Sequence, residues 1–316
     1  MTSHLLSTSS DYDRSYIKKA LRKLLDQGDY WQKLSKKKSI LLKPNFVIAE
    51  AAELCATTHP DFYMALAEIL QEKDFKVSIG ESPAFGSCAD ALKAHNVYQE
   101  CLDKNIGIVE FKTHEKYDSP EGSHDYGTLT IAAELQNFDA IINLPKLKVH
   151  QQFVFTAATK NLYGCVSGKR KVWRHNLCKN DPVAFAKMVI VNAEKANAIF
   201  HIADGIQALH VKGPRNGKPY PLGKIIISDS FLELDYIFCK LVNMDISETP
   251  LFQALSKKSI KEIEKSTQEL LLSPEFSPVT DFIPSYRTDI SFSPFFLLRS
   301  AYRSFKFKLS KVLKQK

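Results

Sequence analysis

The sequence predicts an α/β fold: a mostly parallel sheet with helices on both faces, in one or two lobes, plus a C-terminal basic amphipathic helix. Three observations carry this expectation. Short strand-type apolar runs alternate with helix-type segments from about residue 36 onward. Four polar motifs, KPN, GESP, NLPKLKVH and ADG, each follow an apolar run, as ligand-binding loops do at the C-terminal edge of an open parallel sheet. The apolar content of 44% and charged content of 25% over 316 residues are those of a globular chain able to bury a large core.

Taken in order, residues 39–42 are a strand ending at Lys43-Pro44-Asn45. Thr57, Thr58 and His59 cap a helix that opens at Pro60 and runs to Leu70. Residues 75–79 are a strand ending at GESP, followed by a helix over 88–95 and a strand over 106–111. A buried-type strand over 140–144 ends at Pro145, and helices are expected over 153–163 and 183–196. Strands over 199–203 and 224–228 and a helix over 231–242 complete the alternation. Residues 272–294, rich in Pro and Ser, read as an extended strap. The expected division is an α/β domain over 1–285 and a helix over 286–316.

Charge is unevenly placed. Residues 140–180 hold eight Lys or Arg and no acid, residues 290–316 hold seven and none, and the remainder sums to −7. A solvated face mixes signs, so a one-sign cluster points to an anion among the cations. The six cysteines form no C-x-x-C pair, which argues against a disulfide scaffold or an intrinsic iron–sulfur cluster. The start of the chain lacks a signal peptide's pattern, and no uncharged apolar run approaches the roughly 20 residues that span a bilayer. A cytoplasmic setting follows as the expectation.

Lys43 and Asn45 end a central strand, where a lysine needs an anionic partner: either a ligand, or Glu81 or Asp204 at the same edge. Lys146, Lys148 and Lys160 are candidates for holding phosphate or carboxylate, with Asn161 adding neutral hydrogen bonds. His150, in a loop with two lysines, suits an acid/base role, although a surface histidine is the plain alternative. GCVSGKRK fails the P-loop template because Arg170 stands where Ser or Thr is required; Lys169 then belongs to a Gly-hinged basic lid.

LLKPNFV, TTHPDFYMAL, VSIGESPAF, INLPKLKVH, KNLYGCVSGKRK, IADGI, GPRNGKPYPLG and ISDSFLELDYIFCKLVNMD together resemble the domain-of-unknown-function family 362, over about residues 36–245. The central segment is also similar, more distantly, to the cofactor region of nickel-pincer lactate racemases. That resemblance implies His150 as acid/base, Lys160 as the attachment point of a pyridinium-derived cofactor and His175 as a nickel ligand. It departs from their pattern before Lys160, where Phe155-Thr156-Ala157-Ala158-Thr159 replaces a Gly-rich run.

In the tail, Ser293 and Pro294 open a helix whose Phe295, Leu298, Tyr302, Phe305, Leu309 and Leu313 form one apolar stripe. Basic residues off the stripe suit an anionic membrane surface, or docking on the acidic body; no nucleic-acid fold accompanies it. Two functions stand. One is an enzyme performing redox or isomerisation chemistry on an anionic small molecule. The other is a non-catalytic carrier or assembly factor for an anionic cofactor at a membrane.

Overall fold

The computed structural model describes residues 3–9, 11–83, 86–118, 126, 128–167, 171, 174, 178 and 181–285. The expected C-terminal helix, Lys169 and His175 lie outside them. Strand β1 (Ser3–Ser7) and helices α1 (Arg14–Gln27) and α2 (Tyr30–Leu34) precede the first expected strand, β2 (Ser39–Pro44). Then follow α3 (Pro60–Gln71), β3 (Lys76–Glu81), α4 (Cys88–Ala94), α5 (Tyr98–Asp103), β4 (Gly107–Glu110), β5 (Glu115–Asp118) and β6 (Thr128–Ile131). The central region supplies β7 (Ala140–Leu144), β8 (Lys146–His150), β9 (Val154–Thr156), α6 (Ala158–Leu162) and α7 (Pro182–Ala196). Strands β10 (Phe200–His210), β11 (Lys218–Tyr220) and β12 (Lys224–Ser228) lead to α8 (Phe231–Leu241), α9 (Pro250–Gln253) and α10 (Lys257–Leu271).

The main sheet runs β1-β12-β10-β7-β2-β3-β4. From β10 to β4 every neighbouring pair is parallel, and β12 and β1 close one side antiparallel. The period-two pattern sets the layers. Ile40 and Leu42 of β2 join the cluster under α1, α3 and α4, whereas Leu41 faces Leu162 and Ala193 on the other side. Helices therefore cover both faces. As expected, His59 caps α3, with Pro60 in its first turn.

Register places a polar row across the buried sheet. Lys43 of β2 pairs with Asn143 of β7, Asn143 with His201 of β10, His201 with Ser228 of β12, and Ser228 with Ser3 of β1. Lys43, Asn143 and Ser228 are fully inaccessible. Burying such a row requires hydrogen-bonded partners for each member.

Three expectations are corrected. KLKVH is not a loop but β8, parallel to β10 and antiparallel to β9. Asp204 of ADG lies inside the long strand β10. The helix expected over 153–163 is instead β9 followed by the short α6 and a 3-10 turn (Tyr163–Cys165). Phe155 within β9 and Phe153 just before it are both buried in the core, with Val154 between them only partly buried, a two-residue alternation that extended backbone allows and a helix does not.

A lysine-walled cavity at the sheet edge

Strand ends deliver the first residues of the site. Lys43 sits at the C-terminal end of β2 and forms an ion pair with Glu81 at the end of β3. The same ammonium donates to the Pro44 carbonyl at 3.0 Å and to Asn161 Oδ1 at 3.3 Å. Of the partners foreseen for Lys43, Glu81 is the one it takes. The close approach depends on Gly164, because a Cβ there would strike both Glu81 and Lys43.

β8 delivers the next pair. Leu147 and Val149 enter the apolar core, which leaves Lys146 and Lys148 on the other side of the strand. Lys146 donates to Asp204 Oδ2 at 2.9 Å and to Tyr12 Oη at 2.6 Å, and Tyr12 in turn donates to Asp204 Oδ1 at 2.7 Å. The His59 ring stacks on Tyr12 at 3.6 Å, and burial pushes its pKa down to about 4. Lys146 and Asp204 are thus each other's partners.

Lys148 has no such carboxylate. It is fully buried and donates to Asn45 Oδ1 at 2.6 Å and to the carbonyl of Ala56. Burial, reinforced by Lys146 and Lys160, holds its pKa well below the usual lysine range. From Lys148 a one-way chain of amides crosses the interior. Asn45 Nδ2 donates to Asn161 Oδ1 at 2.7 Å, Asn161 Nδ2 to Asn143 Oδ1 at 2.8 Å, and Asn143 Nδ2 to His201 Nδ1 at 3.0 Å. Each link fixes the next: an oxygen must accept, leaving the amide nitrogen to donate. His201 therefore carries its proton on Nε2, and burial lowers its pKa to about 3.

α6 carries Lys160 and Asn161. Its first turn is held by Asp235 of α8, whose carboxylate accepts from Ala158 N at 2.6 Å and Thr159 N at 3.1 Å. Burial raises the Asp235 pKa to about 7, against the pull of those N–H groups. Lys160 faces the rings of Phe153, Tyr163 and Phe185 at 5.9, 4.6 and 5.4 Å from their centroids. Those π faces attract an ammonium. Burial and the charges of Lys171 and Lys43 act the other way and bring its pKa down to about 7. Lys171 donates to the Ser82 carbonyl, and burial brings it to about 8, with Glu81 acting against the shift.

These elements line an open-mouthed cavity of about 140 Å³. Asn45, Glu81, Lys148, His150, Lys160 and Asn161 line it, together with Lys171, which the site expectations omitted. Lys43 stands behind Glu81, whereas Lys146 and Asp204 are not in the wall. The His150 Nδ1 accepts from the backbone N–H of Gln152 and Phe153, both at 3.1 Å, so a neutral ring holds its proton on Nε2. Among the described residues no three His, Cys, Asp or Glu side chains come together to hold a metal. Lys160 and His150, the positions the lactate racemase resemblance implies for cofactor attachment and acid/base work, line the same cavity, while its implied nickel ligand, His175, lies outside the described residues. Cys165 and Cys178 are buried, with pKa values pushed up to about 12 and about 11, so neighbouring cations do not activate them.

Asn143, His201, Tyr12 and Asp235 escaped the sequence reading. An acid within the apolar run of α8, LELDYIF, was the one legible signal among them.

The family model described as "Domain of unknown function (DUF362)" matches residues 40–240. The chain belongs to the DUF362 family. All the cavity-lining residues of this DUF362 protein fall inside the matched range. It is 30% identical over 303 residues to the thylakoid-associated protein sll1697 of Synechocystis sp., covering 95% of this chain and 93% of that one. Among solved structures it is similar to the lactate racemase apoprotein of Thermoanaerobacterium thermosaccharolyticum, with a TM-score of 0.48 and 17% identity. That match covers 73% of this chain and 56% of the other.

Proposed function

We propose that this DUF362 protein is an enzyme that admits a small anionic molecule to the lysine-walled cavity and performs isomerisation or redox chemistry on it. The observation that carries the reading is Lys148, a fully buried amine whose acceptors are both neutral. Three lysines share the wall with one carboxylate, Glu81, and Lys43 already neutralises it. An entering anion favours the charged form of Lys148 that burial disfavours, and the resulting charge-assisted hydrogen bond is worth about 1.5–3 kcal/mol. The volume, close to the roughly 150 Å³ of a cavity that accepts a benzene-sized guest, suits a short carboxylate. Lys160, titrating near neutrality, and His150, presenting Nε2–H, are the groups placed to act on it.

The test is calorimetric titration with propionate and its neutral isostere propionamide. Propionate should bind with proton uptake, propionamide should not, and Lys148→Met should weaken propionate by at least about tenfold. Equal binding of acid and amide would sink the reading. His150→Gln then separates the two function classes. An enzyme keeps propionate affinity and loses turnover on a panel of small acids, whereas a carrier keeps its function.

The thylakoid-associated relative favours a second reading, a peripheral membrane protein. Among the described residues no helix is long and apolar enough to cross a membrane; on this reading the basic tail is the segment that makes contact. Full-length protein should pellet with anionic liposomes and a 1–290 chain should not. Equal pelleting of the two rejects tail-mediated binding.

A further inference from the structure

Lys160 differs from every other lysine of the site. Lys43 and Lys146 bind carboxylates, and Lys148 and Lys171 donate to carbonyl oxygens. Among the described residues, the Lys160 amine has no hydrogen-bond acceptor and lies over the faces of Phe153, Tyr163 and Phe185, while its side chain lines the cavity. An amine without an acceptor, among rings and repelled by adjacent ammonium groups, keeps its lone pair available to a guest.

We propose that Lys160 is a nucleophile that condenses with the carbonyl of a small oxo acid whose carboxylate is held by Lys148. This rests on the anion-site reading above and names its substrate class. The lone pair of Nζ attacks the carbonyl carbon, a C–N bond forms, and the π pair of the C=O bond moves to oxygen, which takes a proton given up by nitrogen. The C–O bond of that carbinolamine then breaks, and oxygen leaves as water with the second amine proton, giving the imine. A proton added to the imine nitrogen makes an iminium, a cation that the three π faces stabilise and that withdraws electrons from the adjacent carbon. Loss of a proton from that carbon and its return elsewhere is an isomerisation, with no outside oxidant. The His150 Nε2–H, on the same wall, is placed to donate to the departing oxygen.

The experiment treats full-length protein with pyruvate and sodium cyanoborohydride and maps the adduct by peptide mass spectrometry. We expect one reduced pyruvyl group on Lys160, forming at least about tenfold faster than on Lys258, whose side chain is 86% exposed. Propionate should block it, and Lys160→Arg should lose it while Lys258 labels as before. Labelling of Lys160 no faster than Lys258 in the unmutated protein overturns the proposal. If propionate still binds in that case, only the condensation is wrong. If propionate does not bind, the anion site itself is wrong.

Discussion

Lys43, Lys146 and Lys148 are essentially inaccessible to solvent, and each meets a different solution to the same desolvation problem. Two take carboxylates, and the third leans on neutral oxygens at the head of the amide chain. The sequence offers Glu81 as one partner of Lys43, but the Lys146–Asp204 pair is not foreseen: Asp204 is expected beside Lys43, and Lys146 on a ligand. The chain itself was half visible. Asn45 and Asn161 stood out beside lysines, but Asn143 lies inside the run AIINL and His201 inside FHIA, where each reads as an irregularity in a strand. Asn143→Leu should leave the His201 Nδ1, one Asn161 donor bond and the Ala158 carbonyl without their partner. We expect a loss of about 2–4 kcal/mol in urea denaturation, from buried groups left unsatisfied. A loss within about 0.5 kcal/mol would show that the chain does not order the interior.

Among the elements, β8 was the hardest to foresee. K-L-K-V-H alternates with period two, the signature of a strand, but lysines at alternate positions read as solvent-facing when nothing shows that their partners lie inside. The short α6 was hidden for another reason. Its start is set by Asp235, far along the chain, and not by a local cap. The turn after α6 packs Gly164 against the Lys43–Glu81 pair. Gly164→Ala should therefore force that pair apart or the turn outward, lowering stability by about 1–3 kcal/mol, the usual penalty of overpacking. The same variant should bind propionate more weakly. Wild-type stability and affinity in Gly164→Ala would mean the contact is loose.

For the whole molecule, pH is the most direct probe of what has been buried. His59, His95 and His201 titrate at about 4, about 4 and about 3 in the folded chain, all because of burial. Below about 6.5 the unfolded chain gains protons that these rings refuse, so acidification destabilises the fold by about 1.4 kcal/mol per pH for each ring. Asp235, at about 7, works the other way between about 4 and 7 and cancels one ring. On the alkaline side, Lys160 and Lys171 at about 7 and about 8 have lost protons that an unfolded lysine keeps until about 10.4, so stability should climb from about pH 7 to 8.5. Above that the six buried thiols, all with raised pKa values, keep protons that unfolded thiols lose, and stability should fall. Urea midpoints between pH 5 and 10 check both limbs. Saturating propionate should flatten the alkaline climb by returning protons to the cavity. A flat profile in its absence would contradict the buried amines. At this scale the sequence was most informative: strand–helix alternation showed the mostly parallel sheet directly, while β1, α1 and α10 carried no motif to single them out.

The amide chain also bears on how the protein comes into being. Lys148, Asn45, Asn161, Asn143 and His201 come from β8, the loop after β2, α6, β7 and β10, so no contiguous stretch shorter than 45–201 contains the set. A nascent chain that has emerged only as far as α6 holds lysines and asparagines with nowhere to point, and these become mutually satisfied only when β10 slots beside β7. The amide chain behind the cavity accordingly cannot close until β10 has emerged. A cleavage between residues 45 and 201, or an early stop before 201, should give fragments that handle no anion at all.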